Sequence, residues 1–281
     1  MVTTNYWGEP TVSPRELFMN PELSDSFRSG VLRILDRIGL TSVESKQLAL
    51  KIWNLVHVSS DHDFERQLQE IVIESFDPSI LRAILDDRAV ELAREVSPHI
   101  LSGTLLDVGT GDGMVTWNLR DRFEDALLVD VMDYLDPRVK MPFRIYYDGG
   151  AIPTDEQYEN VLLLNVLHHS DHPLPLLEDA WKHTKRRLVI IESVYGDAAR
   201  AANNVYPFTL NVRNQFLYTS FFDWFYNRVL HSDVPVPCNF LPPEDWERLF
   251  VQKGMRLETK QDLGIDVDIV PLHHYLFILE R

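Results

Sequence analysis

Cysteine is almost absent from this chain: Cys238 is the single one in 281 residues. No intrachain disulfide can form, and no zinc site can rest on thiolates. Long apolar runs are missing too. None approaches the roughly 18–20 residues that a membrane-crossing helix needs. The segment Met1-Val2-Thr3-Thr4-Asn5-Tyr6-Trp7 lacks the basic stretch and apolar core of a secretory signal, so the expected location is cytoplasmic. Positive charge is scarce: 27 Lys and Arg stand against 43 Asp and Glu, a formal net charge of −16. Residues 1–100 hold sixteen acids against ten bases, and the rest holds twenty-seven against seventeen. Nucleic acids and anionic membranes are bound through clustered Lys and Arg. The one basic cluster, Lys185-Arg186-Arg187, precedes an apolar run and reads as a solvated turn. Nucleic acid and membrane are therefore excluded as expected partners.

What remains is an ordinary globular composition, 45% apolar and 25% charged, with aromatics crowded between Tyr206 and Trp246. Residues 1–22 carry three prolines and read as an irregular arm. Four helical patterns follow. Phe27, Val31, Leu32, Leu35 and Ile38 share one face, and Gly39 closes the segment. Thr41-Ser42-Val43-Glu44 is a capping box for a helix reaching about Val58. Asp61 is placed to cap a third helix, and Asp77-Pro78 to open a fourth that Pro98 ends. From residue 101 the pattern changes to short apolar strands at 104–108, 126–130, 142–147, 161–165 and 187–192. Strands apolar almost throughout are buried on both faces, as in a parallel sheet covered by helices. Segments starting at Gly113 and Pro173 read as the covering helices, whereas 130–142 has room for only a turn or two. A helix over Pro243 to Lys253, terminated by Gly254, precedes a closing strand pair at 255–262 and 273–279. The expectation is a doubly wound α/β fold.

Asp107-Val108-Gly109-Thr110-Gly111-Asp112-Gly113 lies directly after a strand and before a helix. Glycine there permits a tight turn and close approach of a ligand to the backbone. In open α/β sheets ligands lie beyond the carboxyl ends of the strands. The spacing is G-x-G-x-G, not the G-x-G-x-x-G of dinucleotide sites, and no phosphate-loop Lys-Ser/Thr follows. The next strand ends in Asp130, where an acid can accept hydrogen bonds from both ribose hydroxyls of an adenosine.

Leu105-Leu106-Asp107-Val108-Gly109-Thr110-Gly111-Asp112-Gly113 resembles the first motif of class I S-adenosylmethionine methyltransferases. Asp130 is similar to their ribose-binding acid, and Asp148 to the acid that contacts the adenine amine. Asn165-Val166-Leu167-His168-His169 resembles the fourth-strand motif of small-molecule members. The resemblance implies a Rossmann-like domain over 101–281, with a mostly parallel seven-stranded sheet whose last strand is antiparallel. Residues 1–100 become an N-terminal arm and helical cap, and about 197–240 an aromatic insertion. It also implies S-adenosyl-L-methionine as cofactor, held by Asp107, Gly109, Gly111, Gly113, Asp130, Asp148 and Asn165. The expected activity is methylation of oxygen or nitrogen on a small, apolar or aromatic acceptor, with a homodimer left open. The shortened second crossover departs from the family pattern.

Methyl transfer from a sulfonium is an in-line displacement, so a base is needed only where the acceptor must lose a proton. His168 and His169 follow the fourth strand and titrate near neutrality, which suits that role; the competing reading is that one of them caps or packs the next helix. Glu192, at the end of the fifth strand, can orient an acceptor hydroxyl or amine, and His231 is a weaker candidate. His168, His169 and His172 with Asp171 straddle a strand end and a loop, so no metal site is expected. Phe221, Trp224, Phe225 and Arg228 fall at helical spacing, which reads as an amphipathic helix or as part of a pocket roof. Two alternatives stay open: a scaffold that binds S-adenosylmethionine without transferring its methyl group, and an enzyme that keeps the sulfonium as an electrostatic cofactor.

Overall fold

Strand formation follows the apolar runs. β1 (Thr104–Val108), β2 (Asp125–Asp130), β3 (Phe143–Ile145), β4 (Tyr158–Leu164), β5 (Thr184–Val194), β6 (Arg256–Val267) and β7 (Val270–Glu280) build one sheet in a computed structural model. The structure describes residues 4–196, 211–231, 234–267 and 269–281. Strand order is β3-β2-β1-β4-β5-β7-β6, with six parallel strands and β7 antiparallel. In the centre Leu106 lies opposite Leu127 of β2 and Val161 of β4. Ten of the eleven residues of β7 are buried, whereas every position of β6 is exposed or half-buried. This contrast explains why the last strand inserts beside β5 and leaves the charged β6 at the edge, where unpaired backbone is best guarded by polar side chains.

The chain packs as two compact units, each discontinuous in sequence. One comprises Leu85–Ser193, Pro243–Leu263 and His274–Arg281, and the other Met1–Ile84, Val194–Pro242 and Gly264–His273. The division therefore does not fall at residue 100. Ala89, Leu92, Ala93 and Val96, in the second half of α5 (Pro78–Val96), join the apolar core of the sheet unit with Leu105 and Leu128. The sheet unit also holds α6 (Met114–Asn118), α7 (Pro173–His183) and α9 (Pro243–Gln252). Phe250 of α9 meets Phe277 of β7 edge-on at 5.4 Å between ring centres. The segment 131–142 contains no helix at all, only turns.

In the helical unit, α1 (Pro14–Phe18) corrects the irregular-arm expectation: Ser13 and Glu16 form a capping box around Pro14. α2 (Ser24–Arg37) and α3 (Ser42–Val58) follow the periodicity. α4 (Asp61–Ile73) is capped by Ser60, which accepts from Asp63 N–H at 3.3 Å, so the cap precedes the Asp61 expected from sequence. α8 (Val212–Trp224) continues as a π-helical turn, Phe225–Leu230. Every residue from Asn214 to Trp224 is buried, so this helix is enclosed all round instead of amphipathic. Phe27 stacks on Phe221 at 4.0 Å, and Phe222 lies so close to Gly30 that a Cβ there would sit 2.1 Å from its ring. The N-terminal arm is tied within this unit, with Tyr6 N–H donating to Asn239 Oδ1 at 2.7 Å and Trp7 Nε1–H to Asn239 O at 3.0 Å. Tyr206-Pro207-Phe208 lie outside the described residues. Among the described residues, no helix is long and apolar enough to cross a membrane.

Candidate active site at the carboxyl ends of the central strands

The glycine turn is shaped by backbone geometry that only glycine adopts cheaply. Gly109, Gly111 and Gly113 have φ of 71°, 58° and 74°. Their surroundings differ. A Cβ on Gly109 would lie 2.6 Å from both methyl groups of Val166, just past β4. Gly111 faces open space, with no atom within 4 Å of such a Cβ. Gly113 instead packs against Leu135, Leu128 and Val139, the nearest at 2.9 Å. Its lack of a side chain lets the short crossover after β2 close onto the turn, and Asp136 N–H donates to Asp112 O at 2.9 Å beside it.

The three acids expected from sequence are each anchored. Asp107 is 3% exposed, and its Oδ2 accepts from the hydroxyls of Thr110 and Thr116, both at 2.6 Å. Burial pushes its carboxyl up to about 6, the two threonines pull it down, and nearby Asp130 and Asp112 push it up again. Asp130, 6% exposed, accepts from Gly111 N–H at 2.7 Å and from its neighbour Val131 N–H at 2.6 Å. Burial raises its carboxyl as well, against those N–H groups, which lower it. Asp148 sits on an exposed loop after β3 and accepts from Ser170 O–H at 2.5 Å and Asp171 N–H at 2.6 Å. Tyr146 is buried nearby, and its phenol is pushed above the ordinary range by that burial and by Asp130 and Asp148.

After β4 the chain enters an unusual conformation. Asn165 has φ 58°, a left-handed backbone rare outside glycine, and its N–H donates to Ile191 O at 2.7 Å. Its side-chain Oδ1 is buried and meets no hydrogen-bond donor among the described residues. Next comes a one-turn helix, Leu167–His169. His168 is 1% exposed, and its Nδ1 lies 2.6 Å from Oε2 of Glu192, which is wholly buried. The other carboxylate oxygen accepts from Val166 N–H at 3.1 Å and Leu167 N–H at 2.7 Å. Glu192 is thus held by the protein's own groups, the His168 ring and two backbone N–H groups. His169 is half-buried, its ring 4.1 Å from that of His168. His231 belongs to the helical unit, stacked on Tyr226 at 5.9 Å.

The structure therefore ties Gly111 to Asp130, holds Asp107 to the same turn through Thr110, and places Asn165 directly before the Val166 that fills the space beside Gly109. It ties Asp148 to the loop after His169, and His168 to Glu192. Thr116, Ser170 and the backbone role of Glu192 have no signal in the residue pattern, since each depends on a partner at least nine residues away.

A family model described as a methyltransferase domain matches residues 78–260. A chain from the complex between the Haloferax volcanii Trm112 methyltransferase activator and a putative methyltransferase shares the fold at 13% identity. There the match covers 70% of this chain and 91% of that one, with a TM-score of 0.50. A putative methyltransferase from Bacillus halodurans is 13% identical over 67% of this chain and 96% of its own, with a TM-score of 0.46. The Burkholderia thailandensis 1,6-didemethyltoxoflavin-N1-methyltransferase is 13% identical over 80% and 91%, with a TM-score of 0.47. With a methyltransferase-domain match over most of its length and the glycine turn at the head of β1, this chain belongs to the class I S-adenosylmethionine-dependent methyltransferases.

Proposed function

We propose that this enzyme methylates an oxygen or nitrogen of a small, apolar or aromatic acceptor, with His168 as the base that takes the acceptor's proton. The observation that carries this reading is the buried His168–Glu192 pair at the ends of β4 and β5. A carboxylate accepts and does not donate, so Nδ1 of His168 carries the hydrogen that faces Glu192, and this bond fixes the orientation of the ring. Two backbone N–H groups hold the same carboxylate, so the ring cannot swing without disturbing residues 166 and 167. His169 is the second candidate, half-buried against the same ring.

The residues present fit S-adenosylmethionine. Gly111 offers open backbone, Asp130 keeps lone pairs for a ribose diol, and Asn165 Oδ1 is a buried acceptor that meets no donor among the described residues. The acids Asp107, Asp112 and Asp130 make the turn favourable to a cationic ligand. When bound, the cofactor supplies a methyl group on a positively charged sulfur. We assign the ribose to Asp130, the adenine amine to Asp148, the amino-acid end to Asn165 and the turn, and to Asp107 the holding of that turn through Thr110 and Thr116. The scarcity of Lys and Arg supports a small acceptor over nucleic acid.

A panel of phenols and amines, assayed for formation of S-adenosylhomocysteine, tests the reading. His168→Asn is expected to lower kcat about 10²–10⁴-fold, with S-adenosylhomocysteine affinity kept within about threefold. Full activity in that variant would remove His168 from the chemistry. Absence of methylated product across the panel would sink the proposed acceptor class.

A further inference from the structure

Two loops beyond the carboxyl ends of the strands are interlocked by groups that none of the motifs includes. Asp148 lies on an exposed loop, where a solitary carboxylate would turn freely among rotamers. Here both of its oxygens are held, Oδ1 by the Ser170 hydroxyl at 2.5 Å and Oδ2 by Asp171 N–H at 2.6 Å. Ser170 is 5% exposed, and its Oγ accepts from His172 N–H at 2.9 Å, which fixes the hydroxyl in turn. The third tie is steric. Gly149 has φ 77°, and a Cβ there would lie 2.5 Å from Cδ2 of His172, so only glycine lets the imidazole lie against this loop.

We propose that Ser170 is a specificity-determining positioning residue: by holding the Asp148 carboxylate in one orientation, it makes the site select an aminopurine donor and reject a 6-oxopurine one. This rests on the assignment of Asp148 to the adenine amine. A carboxylate accepts hydrogen bonds and cannot donate them, and each oxygen of Asp148 retains a lone pair after its bond to the loop. An exocyclic amine satisfies such an acceptor. A carbonyl at the same place sets oxygen against oxygen and leaves both without a donor, which is the arrangement that gives strong discrimination. A carboxylate with one anchor can rotate away from that clash, whereas a carboxylate with two cannot. Loss of Ser170 therefore relaxes selectivity more than it weakens the correct ligand.

Calorimetric titration of S-adenosylhomocysteine and S-inosylhomocysteine into the wild type, Ser170→Ala and Asp148→Asn separates the cases. The wild type should prefer the adenosyl ligand by on the order of a hundredfold. Ser170→Ala should cut that ratio about tenfold while adenosyl affinity falls only about threefold, and Asp148→Asn should abolish it. Ser170→Thr, which keeps the hydroxyl, should restore the ratio. Gly149→Ala, on the exposed loop, should reproduce the loss by displacing His172 and serves if Ser170→Ala does not fold. An unchanged ratio in both Ser170→Ala and Gly149→Ala, with the wild type selective, overturns the role of Ser170 and leaves Asp148 in place. A wild type that binds both ligands equally, or an Asp148→Asn variant that stays selective, overturns the adenine assignment and this inference with it.

Discussion

Replacing Asp107 by asparagine should make the protein more stable at pH 8 and leave it little changed at pH 4. The Asp107 carboxyl is buried at the head of the glycine turn, and that burial raises it from 3.8 to about 6. A carboxyl raised in the folded state binds its proton more tightly there than in the unfolded chain. Its contribution is therefore most favourable below pH 3.8 and is lost as pH rises through 6. A shift of roughly two units, at about 1.4 kcal/mol each, comes to about 3 kcal/mol of destabilisation by the ionised form above pH 6. Asparagine resembles the protonated carboxyl, with a carbonyl oxygen still able to accept from Thr110 and Thr116 at the positions that now lie 2.6 Å away. Urea unfolding of wild type and variant at half-unit steps from pH 4 to pH 8 should show the two diverging between about 4 and 6, and then running parallel. A gap that does not depend on pH would refute the reasoning, because it would mean that Asp107 carries no buried charge. The same variant should bind S-adenosylhomocysteine on the order of tenfold more weakly, as expected where a site keeps a costly charge for its ligand.

The glycine turn and the starts of β4 and β5 yield two further expectations. Gly109→Val would force a branched side chain into a site where even a Cβ lies 2.6 Å from Val166, on a backbone with φ of 71°. Calorimetry should detect no cofactor binding, and wild-type affinity would show that the turn is not the binding site. Glu159 is brought down to about 2 by Lys185 first and Thr104 second, so its stabilising contribution is present above about 4.5 and fades as pH falls toward 2. Lys185→Ala should cost less than about 1 kcal/mol at pH 7, because the pair is partly exposed. That loss should shrink as pH falls from 4.5 to 2, and a constant loss over the range would contradict the linkage.

Much of the fold was legible because its signals are local. Unbroken apolar runs marked β1, β2, β4 and β5 to within a few residues, and the stretch 273–279 marked most of β7. α1 escaped notice although Ser13-Pro14-Arg15-Glu16 is a capping signature, because a five-residue helix has too little periodicity to stand out beside three prolines. α8 was misjudged in a different way. Its aromatic spacing announces an amphipathic helix, whereas Gln215, Thr219 and Asp223 are buried as well. The expected boundary at residue 100 was set by a change of pattern, whereas packing follows side chains, and the second half of α5 feeds the sheet's core.

By itself the sequence determined the donor side of this enzyme, since a tight turn needs glycine wherever it lies and an acid at a strand end is read from its neighbours. Asp107, Gly109, Gly111 and Asp130 are placed by spacing within one strand–turn–strand unit, and the structure joins them as neighbours. Only the tertiary structure decided what holds these groups and which groups the histidines meet. Glu192 reaches His168 across 24 positions, and Ser170 reaches Asp148 across 22. Both links exist because parallel strands bring their carboxyl ends together, and that convergence depends on register between distant segments, which no local pattern encodes.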